Sequence, residues 1–154
     1  MNIELRGATE SDREAVEELL AACGLLSLDP GAQFGVQYAV AASDGGLAGV
    51  AGVEVYGDDG LLRSVAVAQE GRGEGIGLML ASNRIAWARR RGLRSLYLLT
   101  MTARDFFARL GFEVIARDSA PAGIASSYEW RTHCPASAVA MRLVLHQQEQ
   151  HIRR

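Results

Sequence analysis

A glycine-rich segment between a strand pattern and a helix pattern is the strongest constraint on how this chain folds. It runs Arg72-Gly73-Glu74-Gly75-Ile76-Gly77, after the apolar residues 61–68 and before the helical period of residues 78–91. Glycines let the main chain approach a ligand closely and adopt positive φ. The unpaired N–H groups and the dipole at a helix start attract anions. The segment therefore predicts a seat for a phosphate or pyrophosphate, to which Arg72 adds a charge-assisted contact.

The other apolar patterns predict one domain built around a single sheet. Strand-like runs at residues 36–42, 47–56 and 61–68 are separated by Ser-Asp-Gly-Gly and Gly-Asp-Asp-Gly turns, which favour antiparallel hairpins. A strand and a helix precede these runs, and strand and helix patterns alternate after residue 92, except that residues 120–135 are predicted to be irregular. We predict an α/β (α+β) fold over residues 1–145, with a mixed, mostly antiparallel sheet of about six to seven strands and helices on both faces. Residues 146–154 are polar and are predicted to form a tail.

Length, charge and cysteine content exclude several classes of protein. The chain has 154 residues and a net charge of −2, which fits one domain and does not favour a nucleic-acid or anionic-membrane surface. No apolar run approaches the roughly 20 residues that span a bilayer, and the N-terminus lacks a signal-peptide pattern. The two cysteines are far apart and the three histidines lie late in the chain, without zinc-motif spacing. We therefore expect a cytoplasmic protein with no metal.

Three known types of phosphate loop can be compared with this segment. A P-loop needs Gly-Lys-Ser/Thr, but Leu78 follows Gly77, and the glycine spacing does not fit the dinucleotide-binding G-x-G-x-x-G either. Arg72, Gly75 and Gly77 do match the R/Q-x-x-G-x-G/A signature, so the segment resembles that of the GNAT superfamily of N-acetyltransferases. The resemblance implies that this loop binds the pyrophosphate of acetyl-CoA, through Arg72, Gly73, Glu74, Gly75, Ile76, Gly77 and Leu78. A merely flexible, glycine-rich loop is the alternative.

Two further segments carry the resemblance, whose element order extends over residues 2–145. The family places a hydrophobic strand before the loop, and its backbone follows the pantetheine arm. The resemblance therefore assigns Val65, Ala66 and Val67 to acetyl-CoA, with the Val65 N–H as the expected oxyanion donor. The segment Phe-Phe-Ala-Arg-Leu-Gly-Phe at 106–112 is similar to the family's F-Y-x-x-x-G-F box. By that resemblance Phe106 and Phe107 also contact the acetyl-CoA.

The chain departs from many GNAT enzymes at Phe107, where a tyrosine reprotonates the leaving thiolate. Phenylalanine has no proton to give, so another group or water does so, or the protein binds acyl-CoA without turnover. Residues 99–112 resemble the acetyltransferase domain of N-acetylglutamate synthases, which also have phenylalanine there, and residues 128–141 are similar to the C-terminal segment of those domains. Residues 134–139 also resemble small acetyltransferases found beside arsenic-resistance operons. Both amino-acid metabolism and arsenic resistance are thus contexts to consider.

Five polar side chains are candidates for the acceptor side. Arg63 is predicted to clamp a substrate carboxylate through two parallel hydrogen bonds, with an outward-facing, paired arginine as the equal alternative. Glu54 is predicted to accept the amine proton, directly or through water, with a solvent-facing carboxylate as the alternative. Ser64 would bind substrate or backbone. The synthase resemblance implies that Arg131 and Ser137 help to hold the acceptor, and Cys134 is expected to pack.

We therefore expect an acetyl-CoA-dependent N-acetyltransferase that acts by direct transfer on the amine of a small molecule. An acidic amino acid, or an analogue of one, is the expected acceptor. One alternative is a non-catalytic acyl-CoA-binding or regulatory module, and another is an acetyltransferase for protein lysines or N-termini. No nucleic-acid or membrane partner is expected, and a homodimer is an expectation at the level of the family only.

Overall fold

Seven strands organise the part of the chain that the computed structural model describes, which is residues 2–28, 33–133 and 137–145. In chain order they are β1 (Glu4–Gly7), β2 (Tyr38–Ser43), β3 (Gly46–Tyr56), β4 (Asp59–Val67), β5 (Ser95–Thr100), β6 (Glu113–Ile115) and β7 (Val139–Val144). Their order in the sheet is β1-β2-β3-β4-β5-β7-β6. The pairs β1–β2, β2–β3, β5–β7 and β6–β7 are antiparallel, and β4–β5 is parallel. The predicted mixed, mostly antiparallel sheet is confirmed.

Among the described residues, five α-helices accompany the sheet. They are α1 (Arg13–Ala22), α2 (Ile76–Arg91), α3 (Arg104–Arg109), α4 (Ala122–Ala125) and α5 (Tyr128–Thr132). The prediction that residues 120–135 are irregular is wrong where α4 and α5 form. The hydroxyl of Ser127 accepts a hydrogen bond from the Trp130 N–H at 3.3 Å and so caps α5. Cys134 and the predicted tail at residues 146–154 lie outside the described residues.

The described residues of the segments 1–54 and 62–87 form one compact unit, in which the sheet is covered on both faces. Side chains of β2 alternate between the two faces, as the period of a strand requires. One face packs against α1 through an apolar set that we call the α1 cluster, which includes Val16, Leu20, Tyr38, Val40, Val50 and Ala66. The other face packs against α2 through the α2 cluster, which includes Ala39, Ala41, Ala51, Ile76 and Leu80. The start of α2 is therefore fixed to the sheet by buried apolar side chains.

Residues 55–61 and 88–145 belong to the second compact unit. Its apolar cluster consists of Leu61, Tyr97, Leu99, Ile124, Trp130, Ala138 and Ala140. Arg117 connects the segment before α4 to the end of α5, because its Nη2 donates to the carbonyl oxygens of Trp130 at 2.5 Å and His133 at 2.6 Å. The α4–α5 segment is thus bound to the rest of this unit by both packing and hydrogen bonds.

The close approach of Tyr38 to Gly52 gives a test of the first unit. A Cβ built at Gly52 would lie 2.3 Å from Cε2 of Tyr38, whose side chain is fully buried and cannot move aside. Overpacking of this kind costs about 1–3 kcal/mol, so Gly52→Ala is expected to lower the free energy of unfolding by that amount in a urea titration.

Gly45→Ala is the matched control, since Gly45 lies in the turn between β2 and β3 and a Cβ there would meet nothing within 4 Å. We expect this control to change the free energy of unfolding by less than about 0.5 kcal/mol. Equal losses in the two variants would contradict the packing described for Tyr38.

Candidate active site

Residues 72–77, which we call the glycine loop, follow β4, run into the first turn of α2 and have a backbone geometry suited to binding an anion. Gly73 and Gly75 have φ values of +87° and +80°, in the region that favours glycine. The carbonyl oxygen of Gly75 accepts from the Met79 N–H at 3.0 Å, so α2 begins directly after Gly75. The N–H groups of Ile76, Gly77 and Leu78 consequently have no carbonyl partner within their own helix. Such N–H groups at a helix start can bind a phosphate or pyrophosphate.

Arg72 ties this loop to the end of β4. Its Nε donates to the Val67 carbonyl oxygen at 3.2 Å, and its Nη2 lies 3.6 Å from Sγ of Cys23, which in turn donates to the same carbonyl at 3.6 Å. Residues 72–75 are exposed. The predicted anion-binding residues are therefore contiguous: Arg72 to Gly75 form an exposed loop, and Ile76 to Leu78 form the first turn of α2, where Ile76 is buried. Their contact with a ligand stays a prediction.

An irregularity in β4 lies just before the predicted backbone contacts Val65, Ala66 and Val67. Ser64 has a φ of +62° and is the one non-glycine residue with positive φ in the described chain. In a regular strand, residues three apart point to opposite faces. Arg63 nevertheless contacts Ser27, which follows α1, and Ala66 packs in the α1 cluster as well. We call this change of face at residues 63–65 the β4 kink.

After the kink, the strand alternates regularly. The side chains of Val65 and Val67 pack against the α2 cluster, opposite to Ala66. The kink therefore rotates the main chain immediately before the loop that leads into α2. A residue in the left-handed region costs free energy unless it is glycine, and such residues concentrate at functional sites.

A buried ion pair adjoins the β4 kink. Nη1 of Arg63 lies 3.1 Å from Oε2 of Glu54, and the two side chains are 0% and 3% exposed. Arg63 also donates from Nε to Oγ of Ser64 at 3.1 Å and from Nη2 to the carbonyl oxygen of Ser27 at 3.0 Å. The alternative for Arg63, an outward-facing and paired arginine, is wrong in its orientation but right in the pairing, and the alternative of a solvent-facing Glu54 is wrong. Their roles as carboxylate clamp and proton acceptor stay predictions.

The remaining predicted residues belong to the second unit. Phe107 is buried, and its ring packs edge-on against Phe106 and Phe112, at centroid distances of 5.0 and 5.7 Å. Arg131, in α5, is exposed and donates from Nε to the Ser126 carbonyl oxygen at 2.9 Å. Ser137 is exposed in the turn before β7. Phe107 thus belongs to an aromatic cluster, whereas Arg131 and Ser137 are accessible to a substrate.

Sequence reasoning missed a second buried arginine. Arg84, in α2, is 5% exposed, lies over the ring of Trp87, and donates from Nη1 to the carbonyl oxygens of Val36 at 3.1 Å and Gln37 at 2.8 Å. It thereby holds the segment that leads into β2. Its position four residues after the buried Leu80 was the available signal, because residues four apart share a helix face.

Within the described ranges, no group of three or more His, Cys, Asp or Glu side chains is placed to hold a metal ion. In the same part of the chain, no helix is long and apolar enough to cross a membrane.

A model of the acetyltransferase (GNAT) domain matches residues 35–114, a segment that includes the glycine loop and the β4 kink. A solved structure with a similar fold is N-acetylglutamate synthase from Neisseria gonorrhoeae, complexed with coenzyme A and N-acetyl-glutamate. It has a TM-score of 0.80 and 22% identity over 96% of this chain. The present chain spans only 36% of that synthase. No protein of curated function matches the sequence.

Two similar structures have nearly the same length as this chain. Rv2747 from Mycobacterium tuberculosis, in complex with CoA and NLQ, has a TM-score of 0.76 and 26% identity over 92% of this chain and 99% of its own. The ribosomal-protein-S18-alanine N-acetyltransferase from Escherichia coli has a TM-score of 0.72 and 18% identity, with 94% of each chain covered. The fold thus occurs with acceptors as different as an amino acid and a protein, so it does not select between them.

Proposed function

Since the chain belongs to the GNAT family of acetyl-CoA-dependent acetyltransferases, we propose that it acetylates the amine of a glutamate-like amino acid or of an analogue. The use of acetyl-CoA as the donor is supported by one observation: the β4 kink, the glycine loop and the start of α2 follow one another along the chain. The acceptor half is supported by the similarity to a synthase structure that holds N-acetyl-glutamate.

On the donor side, acetyl-CoA supplies an acetyl group activated as a thioester. The loop of residues 72–77 and the first N–H groups of α2 bind its pyrophosphate, because they present donors that the helix itself leaves unpaired. The main chain of residues 65–67 orients the pantetheine arm. The N–H of Val65 donates to the thioester carbonyl oxygen and stabilises the negative charge that develops there during attack.

On the acceptor side, the amine must lose a proton before its lone pair can attack the thioester carbon. Glu54, or a water beside it, accepts that proton. Arg63 and Ser64 lie next to Glu54 in the first unit. Arg131 and Ser137 are exposed polar residues of the second unit, and their contact with the acceptor stays a prediction. Since Phe107 cannot give a proton, water or another hydroxyl protonates the departing thiolate.

Two other functions have specific support. Phe107 favours a non-catalytic acyl-CoA-binding module, because it removes the usual proton donor. The similarity to the S18-alanine N-acetyltransferase favours a protein acceptor instead. A homodimer and a link to arsenic resistance stay predictions.

The acceptor is tested by a panel assay with the purified protein. Acetyl-CoA is incubated with glutamate, aspartate, glutamine, leucine and peptides that begin with alanine or contain lysine, while free thiol and acetylated product are measured. We expect glutamate-like acceptors to react about tenfold faster or more than leucine, since a site built to pair carboxylates discriminates against their absence.

Turnover with the peptides alone would contradict the proposal and favour a protein acetyltransferase. Silence with every acceptor, while acetyl-CoA still binds, would favour the non-catalytic module. A reaction equally fast with leucine would contradict the glutamate-like acceptor but not the acetyltransferase.

Gly75→Ala tests the donor half by calorimetric titration with coenzyme A. Gly75 has a φ of +80°, which is strained for alanine. If the main chain of the variant relaxes to a negative φ, the first N–H groups of α2 turn away from the pyrophosphate. We expect the Kd to rise about tenfold, which corresponds to about 1.4 kcal/mol.

Gly57→Ala is the matched control for Gly75→Ala. Gly57 has a φ of +66° and open space around a Cβ, but lies in the turn between β3 and β4. It should lose a similar free energy of unfolding, about 1 kcal/mol, and leave the Kd for coenzyme A unchanged. The proposed pyrophosphate site is wrong if the Kd responds equally to both substitutions.

A further inference from the structure

The left-handed conformation of Ser64 has no explanation in the strand itself. No turn requires it, because β4 continues to Val67 beyond it. Glycine would adopt a φ of +62° without a steric cost, whereas serine places a Cβ in a crowded conformation. What distinguishes serine from glycine at this position is the hydroxyl. That hydroxyl accepts a hydrogen bond from Nε of Arg63, in a place where only 8% of the residue is exposed.

The same guanidinium connects three separate parts of the first unit. Nε binds Ser64 in β4, Nη1 binds Glu54 in β3, and Nη2 binds the carbonyl oxygen of Ser27, which lies 36 positions before Arg63. A planar guanidinium has its donors in a rigid fork, so it fixes the relative positions of the groups it binds. The two strands and the segment after α1 are therefore held around the β4 kink.

Stability alone does not account for the charged pair. Apolar side chains of similar volume commonly replace a buried ion pair with no loss of stability or even a gain. The neighbouring positions of β4 are apolar and buried, with Leu61 and Leu62 at 0% and 1% exposure. A leucine at position 63 would therefore continue the strand, but it would leave the Ser64 hydroxyl without its donor.

We propose that Glu54, Arg63 and Ser64 form a buried lock that holds the β4 kink, and that the lock positions the Val65 N–H for acetyl transfer. The proposal rests on the proposed function and adds a role to it. Ser64 and Arg63 are positioning residues here, because they act through the main chain of Val65. The lock explains why a strained serine directly precedes the residues assigned to the acetyl group.

The lock is tested by comparing Ser64→Ala with Ser64→Gly in the acetylation assay. Both variants remove the hydroxyl, but only alanine keeps the Cβ that is strained at positive φ. We expect kcat to fall about tenfold in both variants. The KM for acetyl-CoA should stay within about twofold of that of the unmodified protein, because the glycine loop is unchanged. Ser64→Gly should melt at a higher temperature than Ser64→Ala. If kcat falls equally in the two variants although their stabilities differ, the loss of kcat comes from the missing hydroxyl and not from lower stability.

Ser43→Ala is the matched control, since the Ser43 hydroxyl also makes a hydrogen bond, here by donating to the Gly46 carbonyl oxygen at 2.9 Å across the turn between β2 and β3. It should retain the kcat of the unmodified protein. Full activity of Ser64→Gly would overturn the proposal, because the hydroxyl would then be dispensable. Full activity of Ser64→Ala would overturn it as well.

A second measurement does not depend on turnover. Amide hydrogen exchange in the ¹⁵N-labelled protein should become about tenfold faster at Val65 in Ser64→Ala, while the amide of Leu80 in α2 keeps its rate. An unchanged rate at Val65 would overturn the lock. If the unmodified protein acetylates nothing in the panel, the proposed function fails, and hydrogen exchange still decides whether the lock exists.

Discussion

The ion pair between Glu54 and Arg63 is the interaction on which the proposed site depends. Two charges removed from water are tolerated only with good geometry and further hydrogen bonds, and Arg63 has both. If either partner is lost, the other is left as a buried charge beside the β4 kink. The conformation of Ser64, and with it the direction of the strand into the glycine loop, is therefore coupled to a polar contact within the apolar interior.

The glycine loop extends that constraint to the start of α2. Ile76 and Leu80 bind the helix to the sheet through the apolar cluster, while Gly73 and Gly75 allow the main chain to turn between β4 and the helix. The N–H groups at the helix start are consequently held at a fixed place relative to the kink. The proposed binding of acetyl-CoA along this path would then need little rearrangement, which is the physical benefit of a rigid scaffold.

Much of this arrangement was predictable from sequence, because glycine and apolar periodicity are local signals. The sheet and the position of α2 followed from them, and the GNAT assignment is confirmed, whereas anion binding by residues 72–77 stays a prediction. The environment of Arg63 and Glu54 was not predictable. Arg63 pairs with Glu54 because the β4 kink changes the face on which the strand's side chains lie. The kink itself could not be predicted, because a serine in a strand pattern gives no sign of a positive φ. The helices α4 and α5 were missed because they have only four and five residues, too few to show a helical period, and because serine, which caps α5, is equally typical of loops.

A crystal structure of the protein with coenzyme A and an N-acetylated glutamate-like product would test the central claim most directly. We expect pyrophosphate oxygens within hydrogen-bond distance of the main-chain N–H groups at residues 73–78. We also expect the thiol end of coenzyme A beside Val65, with Ser64 still at positive φ. A pyrophosphate bound elsewhere, or a regular β4 without the kink in the complex, would show that the proposed site is wrong.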